Sequence, residues 1–329
     1  MKGITDVPGI LVGQETNLEA LTGCTVVLCK DGAVVGVDVR GSAPGTRETD
    51  LMRPCNMVKQ AHGILLSGGS AFGLNASTGV VKYLEEQNIG LDVGCAKVPI
   101  VGGAVLFDLA VGDPDVRPDE KMGYTACVNA SANEVEEGNV GAGTGATVAK
   151  TLGNEFAVKG GIGTYSINIG KLPDGRDLVV GAIVAVNALG DIVDGNEIVA
   201  CGFDRVNKIK YPAIKTLLSG ISSTSNVGVG TNTTIAVVAT NVTLDKEGAN
   251  KVAQMAHDGM AKVTFPAHTM YDGDTIFALS TGEGNLTGDK DLDVTIVGAV
   301  ASKCIAESIL RAVRKASKVK EIPSVSDIN

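Results

Sequence analysis

Short apolar runs separated by turn residues mark the first third of the chain. Cys24-Thr25-Val26-Val27-Leu28-Cys29 and Ala33-Val34-Val35-Gly36-Val37-Asp38-Val39 are rich in β-branched residues and read as two strands. Lys30-Asp31-Gly32 between them predicts a hairpin, since Asp-Gly is a favoured two-residue turn. Ile64-Leu65-Leu66 predicts a further strand leading into Ser67-Gly68-Gly69-Ser70-Ala71-Phe72-Gly73. Leu74, Val80, Val81 and Leu84 then suggest a helix over residues 71–87, stopping near Gly90. The middle continues in this style. A short helix is expected to open in the glycine-rich run at 138–146, and strands follow at 155–168 and 179–188. Residues 203–230 mix Lys, Ser, Asn and Gly without a period, and 220–230 reads as a loop. Directly after it, Thr233-Thr234-Ile235-Ala236-Val237-Val238-Ala239-Thr240 has the pattern of a fully buried strand. A helix at 244–262, a loop and strand at 268–281 and a long helix at 294–316 complete the pattern. Val297, Val300, Cys304, Ile305 and Leu310 form the apolar face of the last helix, and Arg311, Arg314 and Lys315 suit its final turn.

Composition narrows the class. With 44% hydrophobic residues over 329 positions, the chain can bury a large core, which excludes wholesale disorder. Its 43 glycines follow no three-residue period, so a collagen-like rod is excluded too. A net charge of −9 is the wrong sign for a duplex-binding surface. Aromatics at 3% and the absence of Trp leave no stacking platform for single strands, so no nucleic-acid partner is expected. No leader-like segment opens the sequence and no apolar run nears the ~20 residues that span a bilayer, so no membrane partner is expected either. Seven scattered cysteines without a Cys-x-x-Cys pair fit free thiols in a reducing cytoplasm.

Candidate chemistry must be weighed against plainer readings. Gly141-Ala142-Gly143-Thr144-Gly145-Ala146 has the glycine spacing of a nucleotide loop, but an acidic stretch replaces the strand that should precede it. A close-packed helix start is the better reading. Gly68-Gly69-Ser70-Ala71-Phe72-Gly73 misses the spacing of a nucleophile elbow, and only His62, His257 and His268 could complete a triad. His257 and His268 lie near Asp258 and Asp272 at irregular spacing, which argues against a metal centre. Asn232-Thr233-Thr234 is more informative, because a polar segment there meets a buried strand. A hydroxyl at that junction can attack the preceding carbonyl, cut the chain and emerge beside its own free α-amine, which then serves as general base. Tyr271-Asp272-Gly273-Asp274-Thr275 adds two carboxylates two residues apart, on one face of an extended segment. Either feature alone is also compatible with an ordinary loop or turn.

Together with several long motifs, these residues resemble the L-aminopeptidase/D-esterase family, which includes β-aminopeptidases and 6-aminohexanoate-oligomer (nylon oligomer) endohydrolases. The resemblance runs end to end through Arg40-Gly41-Ser42-Ala43-Pro44-Gly45-Thr46-Arg47, Ser67-Gly68-Gly69-Ser70-Ala71-Phe72-Gly73-Leu74, Glu137-Gly138-Asn139-Val140-Gly141-Ala142-Gly143-Thr144-Gly145, Lys159-Gly160-Gly161-Ile162-Gly163-Thr164 and Asn232-Thr233-Thr234-Ile235. It implies an α/β fold, a four-layer α/β/β/α sandwich of the N-terminal-nucleophile type. One hydrolase domain over 1–329 would cut itself into a 1–232 α chain and a 233–329 β chain. By resemblance Thr233 is the nucleophile, Asn232 supplies the attacked carbonyl, and Asp272 and Asp274 support the nucleophile. Asn187, Lys159 and Tyr124 line the site. The resemblance implies no cofactor and no metal, a small amide or peptide substrate, and a homo-oligomer, a tetramer of αβ units. The aminopeptidase branches carry Ser as nucleophile and Ser and Glu at the positions of Asp272 and Asp274, so Thr with Asp-Gly-Asp is more similar to the nylon-oligomer branch. An aminopeptidase or esterase, an acyltransferase of the ornithine acetyltransferase type, and a ligand-binding protein with a dead site stand as alternatives.

Overall fold

The computed structural model describes residues 3–219 and 232–328, so the loop expected at 220–230 lies outside the described residues. Nine strands form the main sheet: β1 (Leu11–Asn17), β2 (Thr22–Val39), β3 (Gly45–Arg47), β4 (Gln60–Ser67), β5 (Val101–Val105), β6 (Gly161–Lys171), β7 (Asp177–Asn187), β8 (Thr233–Val242) and β9 (Thr275–Gly284). Their order is β6-β7-β8-β9-β2-β4-β5-β3, with β1 paired to the first half of β2. Four helices matter here: α1 (Ala76–Glu86), α2 (Glu120–Val128), α3 (Lys246–Val263) and α4 (Lys290–Lys315).

The strand alternation sorts side chains into three cores, and the cores define the layers. Val180, Ala182, Val184 and Val186 of β7 pack with Ala236 and Val238 of β8 against Val252 and Ala256 of α3 and Val297 and Ile305 of α4. The intervening residues, Ile183 and Ala185 with Ile235, Val237 and Phe277, meet Val27, Cys29, Ile64 and Leu66 from the other half of the sheet. The outer face of that half, Cys24, Val26, Leu28 and Leu65, packs on Val80 and Leu84 of α1 and Ala126 and Cys127 of α2. Helices, sheet, sheet and helices therefore stack in four layers. β2 belongs to both sheet layers, because its first half pairs with β1 and its last residues pair with β9.

The expected hairpin at Lys30-Asp31-Gly32 does not form. Both flanking runs belong to β2 and both pair with β4, with a register shift between Leu28 and Ala33. Gly32 has φ +81°, so the Asp-Gly pair makes a bulge within one long strand instead of reversing the chain. The helix expected at 138–146 shrinks to the single turn Gly141–Gly143, where glycine favours tight packing over helix propagation. The other long elements match the pattern closely. α4 starts from an Asp289 cap and ends with Arg314 and Lys315 in its last turn.

Candidate active site

Thr233 is the first residue of β8, buried to 3% exposure and paired across the strands with Asn187 of β7. Its hydroxyl donates to the carbonyl of Asn232, so the oxygen is set against the peptide group it would attack. That same carbonyl also accepts the main-chain N–H of Gly273 at 3.0 Å, which polarises it further. Gly273 must be small. A β-carbon there would lie 2.8 Å from Thr233 Oγ1 and 2.7 Å from the Ala43 carbonyl.

The two carboxylates flank this contact in different ways. Asp274 Oδ1 accepts the Thr234 N–H at 2.8 Å, which fixes the peptide that follows Thr233. Its Oδ2 accepts the His268 N–H at 3.0 Å and lies 2.8 Å from His268 Nδ1. Asp272 Oδ2 accepts the Thr269 N–H at 2.8 Å and the Thr269 hydroxyl at 2.6 Å. Burial, reinforced by the neighbouring Asp274 charge, pushes the Asp272 carboxyl above the usual range, against the pull of the Thr269 donors. The Arg40-Gly41-Ser42-Ala43 motif explains itself here. Arg40 and Gly41 donate to the Asp274 carbonyl, and Ala43 donates to the Asp272 carbonyl, backbone against backbone.

Asn187 lies behind Thr233. Its Oδ1 accepts the Thr147 N–H at 3.0 Å and Lys150 Nζ at 3.0 Å, and its Nδ2 donates to the Phe107 carbonyl at 3.0 Å. A buried hydroxyl against a polarised carbonyl, two carboxylates and a fixed amide make a constellation for acyl transfer.

The comparisons agree with that chemistry. The family description "Peptidase family S58" matches residues 2–324. The chain belongs to peptidase family S58. A Mycobacterium leprae protein named as an uncharacterised aminopeptidase is 40% identical, over 98% of this chain and 93% of its own. A 6-aminohexanoate-oligomer endohydrolase of Paenarthrobacter ureafaciens is 30% identical, over 93% of this chain and 84% of its own. The solved L-aminopeptidase D-Ala-esterase/amidase of Ochrobactrum anthropi, described as a variant of the Ntn hydrolase fold, superposes with a TM-score of 0.70 at 20% identity, covering 96% of this chain and 86% of that one. A Burkholderia sp. β-aminopeptidase gives 0.68 at 21% identity, covering 98% and 89%. The expected fold is thus the observed one, and the S58 chain is an amide-bond hydrolase.

Within this S58 chain the remaining expected site residues divide. Lys159 is fully buried, and its Nζ donates to the carbonyls of Gly143, Ala146 and Gly160 at 2.9, 2.7 and 3.1 Å. It clamps the glycine-rich turn that presents the Thr147 N–H to Asn187, so it reaches the site through that turn. The structure does not bring Tyr124 to this cluster. Tyr124 stands on α2 in the outer layer, where its hydroxyl donates to Glu86 Oε2 at 2.7 Å and its ring meets Tyr83 edge-on. The short motif around it carries no information about which face of α2 it occupies. At Ser70 the backbone is tied into the fold: Gly69, at φ +80°, donates its N–H to buried Asp108, and the Ser70 N–H goes to the Leu106 carbonyl.

Sequence reasoning missed Lys150. It is nine-tenths buried or more, its Nζ lies on the Asn187 carbonyl and side chain, and burial pulls it down to about 7 while Asp272 pulls the other way. A lone Lys after Thr147-Val148-Ala149 gives no periodic signal of such a role. Among the described residues no group of three or more His, Cys, Asp or Glu side chains is placed to hold a metal.

Proposed function

We propose that Thr233 is the nucleophile of this amide hydrolase and that the chain first cuts itself between Asn232 and Thr233. The carrying observation is the Thr233 hydroxyl set on the Asn232 carbonyl, which the Gly273 N–H holds from the other side. In the first step Oγ1 bonds to the Asn232 carbonyl carbon while the Gly273 N–H stabilises the oxyanion. The C–N bond then breaks, the hydroxyl proton passes to the nitrogen, and an ester remains. Water hydrolyses that ester, leaving the Asn232 carboxylate and a free Thr233 α-amine in chains 1–232 and 233–329. During turnover this amine takes the hydroxyl proton as Oγ1 attacks the substrate amide, and passes it to the leaving amine. Asp274 fixes the strand at Thr234, Asp272 holds the Thr269 N–H and hydroxyl beside it, and Asn187 with Lys150 and Thr147 forms the polar wall.

Short peptides and linear amide oligomers are the substrates this reading favours, because the relatives are named as aminopeptidases and as oligomer endohydrolases. Both substrate kinds are chains with a primary amine at one end. A homo-oligomer of αβ units, with a tetramer as the first assembly to test, and a cytoplasmic setting complete the proposal. Seven unpaired thiols support the reducing compartment. Denaturing mass spectrometry tests the reading directly. The wild type should give two masses and hydrolyse a small amide, whereas Thr233→Ala should stay whole and inactive. A fully active protein with only the full-length mass would overturn self-cleavage, and an active Thr233→Ala would overturn the nucleophile.

A further inference from the structure

Two histidines of this region have no part in the chemistry above. His257 lies in α3 at 0% exposure, and His268 lies in the loop that precedes β9. Their rings meet edge to face with centroids 4.8 Å apart. His257 Nε2 lies 3.0 Å from the Asp38 carbonyl near the end of β2. Burial lowers the His257 imidazole to about 4, so at neutral pH it is uncharged and Nε2 carries the proton it donates to that carbonyl. The ring is thereby pinned, and it presents a fixed wall to His268.

His268 grips Asp274 twice, through its main-chain N–H at 3.0 Å and its ring Nδ1 at 2.8 Å, both on Oδ2. A carboxylate only accepts, so Nδ1 holds the proton in this contact. His268 makes this grip at φ +57°, in the left-handed region that residues with a β-carbon adopt uncommonly. Nε2 finds no partner among the described residues, so the one polar tie of the ring runs to Asp274. Asp274 Oδ1 in turn holds the Thr234 N–H at 2.8 Å. If Oδ2 were released, the carboxylate could rotate about its last torsion, and the peptide plane joining Thr233 to Thr234 would lose its anchor.

We propose that His268 is a positioning residue, braced by His257, which holds Asp274 in the orientation that fixes the Thr233 backbone. The proposal rests on the assignment of Thr233 as nucleophile. His268 acts through Asp274 and does not touch the reacting atoms. Losing a charge-assisted hydrogen bond of this kind should slow the reaction about tenfold or more.

The test compares wild type, His268→Ala, His268→Gly and His268→Asn in the full-length chain, reading cleavage by mass spectrometry and kcat and KM on a small amide. His268→Gly removes the ring while relaxing the left-handed backbone, so it stays informative where alanine impairs folding. Ala and Gly should slow cleavage and lower kcat about tenfold or more, with KM changed less than about twofold. Asn should recover most of both rates, since its side-chain N–H occupies the place of Nδ1–H and it tolerates φ +57°. Wild-type rates in the Gly variant, an Asn variant as slow as Gly, or a loss confined to KM would each overturn the proposal. A wild type that is neither cut nor active would overturn the nucleophile assignment and this inference together. A working wild type beside an unaffected Gly variant would overturn this inference alone.

Discussion

Gly273→Ala adds one methyl group at the centre of the site. Gly273 does not carry a left-handed φ, so the backbone itself accepts alanine and the effect is steric. The new carbon would stand 2.8 Å from Thr233 Oγ1, 2.7 Å from the Ala43 carbonyl oxygen and 3.1 Å from Pro44 Cα. Ordinary contact needs ~3.5 Å, so at least one neighbour must shift by several tenths of an ångström. The Ala43 carbonyl belongs to backbone tied to Asp272 through the Ala43 N–H at 2.9 Å, whereas Thr233 Oγ1 is the end of a side chain. The hydroxyl therefore moves first, away from the Asn232 carbonyl. Overpacking of this kind costs about 1–3 kcal/mol, and spent on the reactive geometry it slows the attack about 5- to 150-fold. A cleavage time course read by denaturing mass spectrometry, with thermal unfolding in parallel, is the assay. The expected result is a folded variant that accumulates uncut chain. Cleavage and turnover at the wild-type rate would refute the reasoning, because the new carbon would then have been accommodated without displacing Oγ1.

Thr234→Val should cut itself and turn over as the wild type does, and unfold about 1 kcal/mol harder, because the buried Thr234 hydroxyl has no partner among the described residues while its N–H keeps Asp274. An uncut, inactive Thr234→Val would show that the nucleophile lies one residue further on. Lys150→Met removes the donor on the Asn187 carbonyl and Oδ1 and the buried amine near Asp272, so kcat should fall about tenfold and thermal stability should fall with it. An unchanged kcat would reduce Lys150 to a structural residue. Asp191→Asn reports on pH. Burial raises the Asp191 carboxyl from 3.8 to about 7, so between those values the folded chain binds more protons than the unfolded one. Stability from this group is full at low pH and is lost as pH rises towards 7, and the stability of Asp191→Asn relative to wild type should grow across that window. A relative stability that stays flat across the window in denaturant titrations would refute the burial argument.

Local pattern determined much of this protein. An unbroken, β-branched apolar run marked the buried strand β8, because a strand covered on both faces must be apolar throughout. Helical spacing marked α4, because a helix buried on one side carries an apolar stripe. Asn232-Thr233 and the Asp272–Asp274 pair could be singled out as candidates, since a hydroxyl beside a carbonyl and two acids two residues apart are neighbours in sequence, but their proposed roles came from the family resemblance. Asp-Gly at 31–32 misled because a turn and a bulge call for the same backbone at glycine, and pairing with β4 decides between them. Only the tertiary structure could show that Gly273 holds the Asn232 carbonyl, that Lys150 rests on Asn187, that His268 holds Asp274 and that Tyr124 stands in the outer layer. Those contacts depend on how β7, β8 and the loop before β9 converge. Side-chain direction within a packed layer is set by the neighbouring layers, which no local run of residues encodes.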